Sequence, residues 1–119
     1  MIDTNMIAFD GIGALNVTFA SDLTSEDEGK PVKVSANKTV ALAGANIFHG
    51  KAIKVEKDGA VNVQIKGYVE FEYTGTAPTV GHSKLKSDVN NKVVVDGTNG
   101  HEYFVAAVDT TTKTVGLFL

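Results

Sequence analysis

The sequence predicts an all-β protein, a small antiparallel β-sandwich or partly open β-barrel carrying an extended N-terminal arm. Three observations point there. β-branched residues dominate, with 16 Val, 12 Thr and 6 Ile among 119 residues, and such side chains suit a pleated, half-buried surface better than a helix. Twelve glycines punctuate the chain every several residues, so no long helix fits between them. Apolar and polar positions alternate with period two, most clearly over residues 53–65.

The elements follow in chain order. Residues 1–14 contain Gly11 and Gly13, mix polar and apolar positions without a clean period, and sit at a terminus; they read as an arm able to add a strand to a neighbour. Residues 15–119 read as a single β domain. Its first strands are expected at 15–20, 31–35 and 39–42, separated by the acidic loop Ser25-Glu26-Asp27-Glu28-Gly29 and by Asn37.

Residues 53–65 form a hairpin. A two-residue turn at Asp58-Gly59 would set Val55 against Asn62 and mix the two faces. A three-residue loop, Lys57-Asp58-Gly59 with Gly59 left-handed, instead pairs Val55 with Val61 and Ile53 with Val63, leaving Lys54, Glu56, Asn62 and Gln64 outside. The second strand continues past a bend at Gly67 to Tyr73, with Val69, Phe71 and Tyr73 inside and Glu70 and Glu72 outside. Residues 74–81 are a loop because Pro78 cannot donate to a ladder. Strands follow at 92–96, 102–108 and 114–119, giving eight or nine in all.

Composition bounds the function. A chain of 12.5 kDa with 43% hydrophobic and 21% charged residues is one globular domain with a single core. Cysteine is absent, which removes disulfides, thiolate metal ligands and thiol nucleophiles. All eleven cations are Lys and the net charge is −3, so the bidentate guanidinium used against phosphates and base edges is missing and nucleic-acid binding is disfavoured. No apolar run approaches the roughly 18 residues of a membrane helix. The N-terminus lacks the basic start and apolar stretch of a secretion signal. A soluble chain made in the cytoplasm is therefore expected, with neither nucleic acid nor membrane as partner.

Residues that could carry chemistry are few. His49, His82 and His101 are expected on a strand, a loop and a turn, without metal-site spacing. Gly11-Ile12-Gly13 lacks the strand, third glycine and helix of a dinucleotide fingerprint. Asp22, Glu26, Asp27 and Glu28 lack the alternation of a calcium loop. Glu70 and Glu72 share a strand face about 7 Å apart, yet alternation with Val69, Phe71 and Tyr73 is what a strand with one wet face requires, and no Trp is present to stack on a sugar. No Gly-x-Ser-x-Gly elbow occurs. No catalytic residue, cofactor or metal ligand is assigned. Phe48, Tyr68, Phe71, Tyr73, Tyr103, Phe104 and Phe118 fall on expected strands, most of them as core. Residues 102–108 and 115–119 are apolar at both parities, so those strands should be buried on two faces, by a second layer or by a subunit contact.

One pattern is more specific. Gly29-Lys30-Pro31-Val32, then Phe48-His49-Gly50-Lys51, then Asp58-Gly59 through Lys66-Gly67, with Gly75-Thr76-Ala77-Pro78-Thr79-Val80-Gly81 and the closing stretch from Val108-Asp109 to Val115-Gly116, resembles small bacteriophage capsid decoration proteins over residues 29–119. The resemblance implies a non-enzymatic protein on the outside of the virion. It would bind the lattice of the major capsid protein, often as a trimer at local threefold positions, and reinforce the head against packaged DNA. In such proteins an N-terminal arm, here residues 1–14, reaches onto the lattice. The alternatives are a phage tail or fibre subunit, and a carbohydrate-binding module around Tyr68, Glu70 and Glu72.

Overall fold

A computed structural model describes residues 13–119; the greater part of the expected arm, residues 1–12, lies outside the described residues. The described chain is all-β, with two antiparallel five-stranded sheets packed together. The first contains β1 (Leu15–Phe19), β2 (Pro31–Ala36), β3 (Thr39–Leu42), β4 (Gly50–Val55) and β5 (Val61–Lys66). The second contains β6 (Tyr68–Glu72), β7 (Gly81–Ser87), β8 (Val93–Val95), β9 (His101–Asp109) and β10 (Thr114–Phe118).

The two sheets have the same topology. Their strand orders are β1-β5-β4-β2-β3 and β6-β10-β9-β7-β8, so adding five to each label converts one into the other. Each also curls until its ends meet at one parallel bridge, Ala20 to Thr39 in the first and Tyr73 to Val93 in the second. Ala20 N donates to Lys38 O at 2.9 Å and Val40 N to Ala20 O at 3.0 Å; Thr74 N donates to Val93 O at 2.9 Å. Each half is thus a small, partly open barrel, and curling shelters the edge strands that a flat five-stranded sheet would leave bare. A faint repeat in the sequence accompanies the repeated topology. Asn37-Lys38-Thr39-Val40 and Asn91-Lys92-Val93-Val94 open the third strand of each half, and Ala43-Gly44-Ala45-Asn46 and Asp96-Gly97-Thr98-Asn99 follow it.

Because each sheet curls on itself, the buried apolar residues form two clusters rather than the one expected. The first holds Val32, Val40, Ala52, Val55, Val61 and Val63. The second is built on Val69, Phe71, Leu85, Tyr103, Val105 and Leu117, together with Ala43 and Phe48 from the first half. Those last two lie on the β3–β4 connection, which leaves its own barrel and docks on the other. The Phe48 ring stacks on Tyr103 with centroids 4.6 Å apart and meets Phe71 edge-on at 5.1 Å. Tyr103 donates its hydroxyl to Phe48 O at 2.8 Å, Ser87 N donates to Asn46 O, and Gly44 N donates to Asn91 Oδ1.

Burial pushes the Tyr103 phenol up to about 12 from 10.0. In the unfolded chain this group ionises near pH 10 while the folded chain still holds its proton. Its contribution is therefore complete below pH 10 and is lost as pH rises toward 12, by about 2–3 kcal/mol. Urea unfolding at pH 9 and pH 11.5 should show that loss, and Tyr103→Phe should be less stable at pH 9 but flatter across the interval. Parallel pH curves for the two proteins would remove Tyr103 as the cause.

The β4–β5 hairpin turns as expected. Gly59 N donates to Glu56 O and Glu56 N to Ala60 O, enclosing the loop Lys57-Asp58-Gly59, and Val55 pairs with Val61. Gly59 has φ +90, and a Cβ there would overlap the Ser21 carbonyl, so both the turn and its neighbour require glycine. Beyond that pair the register departs from expectation. A bulge at Ile53 sets Ala52, not Ile53, opposite Val63; Ile53 is 37% exposed, and the smaller Ala52 takes the inner position. Gln64 is buried rather than outside, because its Nε2 donates to Lys66 O and Tyr68 O across the junction between the sheets. Gly67 is accordingly more than a bend: the chain leaves one sheet there and enters the other.

The described residues form ten strands where eight or nine were expected. β7 was missed because Gly81-His82-Ser83-Lys84-Leu85-Lys86-Ser87 carries one large apolar residue, Leu85, and is made a strand by β8 and β9 on either side. The acidic loop contains a 3-10 turn at Ser25–Asp27.

Candidate functional site

The feature of the second barrel that its fold does not demand is a row of rings on the outer face. Inward positions of β6, β9 and β10 are taken by Val69, Phe71, Tyr103, Val105, Val115 and Leu117. Outward positions, being of opposite parity, include Tyr68, Phe104 and Phe118. Register then aligns them across four strands: Tyr68 pairs with Phe118, Phe118 with Phe104, and Phe104 with His82. Successive ring centroids are 5.4, 6.0 and 5.6 Å apart, close to the strand spacing and within range of aromatic contact. A cross-strand row through the corresponding strands of the first barrel reads Asn16, Gln64, Lys51 and Pro31. The same topology thus stands with no aromatic ring in these places; there Gln64 and Pro31 are buried and Lys51 lines the cleft between the barrels.

The row differs from end to end. At one end Tyr68 is 5% exposed. Its ring lies over Gly116, where a Cβ would overlap the hydroxyl and sit 2.8 Å from Cε1, and its hydroxyl donates to Glu70 Oε2 at 2.9 Å. An aromatic ring laid over a cross-strand glycine covers backbone that would otherwise be wet. Toward the other end Phe104 is 47% exposed, and His82 places Nδ1 3.2 Å from Glu102 Oε1. β10 is therefore covered on both faces, as expected, whereas β9 is not: the outward side of Phe104 faces solvent.

The residues singled out for chemistry are spread over the fold and mostly spent on structure. His49 lies in the bend before β4, not on a strand, and its Nδ1 accepts a hydrogen bond from Val34 N at 2.9 Å. His82 is on β7 rather than in a loop, and His101 begins β9 rather than occupying a turn. His49 and His101 do meet at an apolar pocket of about 190 Å³, walled by Phe48, Ile65, Tyr103 and Leu119 among others. Among the described residues no three His, Asp or Glu converge as a metal site would require.

Of the Gly11-Ile12-Gly13 motif only Gly13 is described, and a strand, not a helix, follows it. In the acidic run, Asp27 Oδ2 accepts from Thr24 N and Oδ1 pairs with Lys30 at 3.2 Å; the Thr24 N–H, ahead of Lys30, holds this carboxyl below its usual value against the cost of burial. Glu28 Oε2 accepts from Val55 N at 2.9 Å and so staples the run to β4. Glu70 and Glu72 open onto a cleft of about 500 Å³ between the barrels, shared with Glu26, Glu28, Lys30 and Lys51. Glu70 is held by Tyr68, and Glu72 lies 3.9 Å from Lys92. The structure therefore brings the expected carboxylate pair beside the acidic run, each with a partner.

Sequence reasoning assigned the aromatic residues to strands but not to this row. The available signal was the doubled apolar parity of 102–108 and 115–119. Among the described residues no helix is long and apolar enough to cross a membrane. Comparison with models of known families and with curated proteins gives no match.

Proposed function

We propose that this chain is a capsid decoration protein, a passive binder of the outer surface of an assembled phage head that associates with itself as a trimer and contacts the major capsid protein. The observation that carries the reading is the outer face of the second barrel. Phe104 stands half-exposed between Phe118 and His82, and an exposed ring beside further apolar surface suits a protein contact. The resemblance supports it. The stretches that carry it include the Phe48 connection, the Gly59 turn and the Gly116 strand, the places where this architecture is determined. A binder that bridges several capsid subunits adds contacts available only in the assembled shell, so mass action favours the intact lattice.

The carbohydrate reading loses ground because Tyr68, its intended platform, is buried against Gly116 with its hydroxyl on Glu70. The test is sedimentation with undecorated, expanded heads. Binding should saturate at a stoichiometry set by lattice symmetry, and Phe104→Lys should weaken it at least tenfold. Heads that ignore the intact protein would reject the proposal.

A further inference from the structure

We propose that the apolar pocket at the seam of the two barrels is a binding site for a small aromatic carboxylate. The inference is independent of capsid binding and rests on the pocket's size, its fixed aromatic wall and the two imidazoles at its rim.

The pocket forms where the β3–β4 connection lies against the start of β9, with Ile65 of β5 and Leu119 closing the sides. Its wall is already held in place. Phe48 and Tyr103 stack with ring planes 2° apart, the Tyr103 hydroxyl is tied to Phe48 O, and His101 meets Tyr103 edge-on at 4.9 Å. An entering ring therefore meets aromatic surfaces that need not reorganise, which lowers the cost of binding. About 190 Å³ is open, slightly more than the roughly 150 Å³ of an apolar cavity that admits benzene. One benzene-sized ring fills it.

The rim sets the charge of the ligand. His49 accepts the Val34 N–H at Nδ1, 2.9 Å away, so its ring is neutral and its one N–H is at Nε2. No protein acceptor among the described residues takes that proton, and His101 has no hydrogen-bonded partner, its contact being with the Tyr103 ring. An imidazole keeps at least one N–H in either protonation state, so the rim offers two donors. Among the described residues no carboxylate side chain lines the pocket, and Glu102, next to His101 in sequence, is engaged by His82. A carboxylate, which only accepts, matches two such donors.

Apolar surroundings favour the same ligand. Ile47, 37% exposed at the opening, presents aliphatic surface that a bound ring covers, and excluding water there strengthens the bonds from the imidazoles to the carboxylate. The larger cleft between the barrels makes the contrast. Glu26, Glu28, Glu70 and Glu72 stand on its walls, and an organic acid is repelled there.

Benzoate titrated into the full chain at neutral pH tests the proposal, followed by amide and imidazole NMR shifts. Saturable changes should be confined to residues 47–49, 65, 101–103 and 119, with a Kd of about 1 mM. Acetate, which lacks the ring, and benzylamine, which carries the opposite charge on the same ring, should each bind at least tenfold more weakly. His49→Phe and His101→Phe keep a ring at the rim and remove its N–H; each should weaken benzoate at least fivefold while leaving benzyl alcohol, the neutral counterpart, within about twofold. Ile47→Glu, at an exposed position, should abolish benzoate binding with the rest of the spectrum unchanged. Lack of saturation tenfold above the expected Kd, changes centred elsewhere, equal binding of benzylamine, or affinity indifferent to both histidine substitutions would each overturn the proposal.

Discussion

Phe48→Ala should destabilise the chain by about 3–5 kcal/mol and make its two barrels unfold separately. Phe48 belongs to the first barrel by chain position and to the second by packing. It is 2% exposed, and its ring lies between Tyr103 and Phe71. Alanine leaves a cavity in the larger of the two clusters and also removes the main apolar side chain that crosses from one barrel to the other. What still joins them is the small side chain of Ala43 in the second cluster and a few polar contacts: Gln64 on the backbone of the junction, Gly44 on Asn91, Ser87 on Asn46 and Tyr103 on the backbone oxygen of residue 48.

The composition supplies a probe for this. All three tyrosines, Tyr68, Tyr73 and Tyr103, are in the second half, so tyrosine fluorescence reports that barrel while far-ultraviolet circular dichroism reports both. In the unsubstituted chain the two signals should change together on urea unfolding. In Phe48→Ala the tyrosine signal should be lost first, with part of the dichroism persisting. Coincident transitions with a loss below about 1 kcal/mol would mean that the β3–β4 connection merely rests on the second barrel.

What could be read from the sequence was whatever is encoded over a few residues. The Asp58-Gly59 turn was legible because a three-residue loop is the one that keeps Val55 and Val61 on a common face. Long-range effects hid the remainder. Parity assigned Gln64 to solvent, whereas the junction at Gly67 needs a donor for Lys66 O and Tyr68 O, and only the placing of β6 in a different sheet makes that need visible. Parity likewise put Ile53 inside, and a bulge handed its place to Ala52. β7 has too few apolar residues to announce itself and exists because neighbours on both sides complete its ladder. The internal repeat escaped notice because the copies share little beyond Asn-Lys-x-Val and x-Gly-x-Asn. The aromatic row is the hardest case. Its four members come from four strands, and their alignment depends on registers that no local window contains. Apolar residues at both parities were correctly seen in β9 and β10, but they do not say what lies over each face: a ring covers Gly116, while Phe104 faces solvent.

Gly116→Val decides between two opposed effects at that covered glycine. On strand propensity alone valine should stabilise β10 by up to about 1 kcal/mol. The structure predicts the reverse, a loss of about 3 kcal/mol and a fall of about 10 °C in Tm for a chain of this size, because the space above Gly116 is filled by Tyr68. A Cβ at this position overlaps the tyrosine hydroxyl. To admit it the ring must swing away, breaking its 2.9 Å bond to Glu70 and its edge contact with Phe118 at 5.4 Å. Tyr68→Ala alone should also destabilise, since it uncovers the glycine and forfeits the ring's buried area. If the clash is the cause, the two changes are not additive. In the double variant valine meets no ring and covers part of the strand itself, so it should be at least 2 kcal/mol more stable than the two single losses together imply. Thermal unfolding of the four proteins measures this coupling directly. Additive losses would show that Gly116 is required by the backbone of β10 rather than by the ring above it, and a stabilised Gly116→Val would show that Tyr68 can leave at little cost.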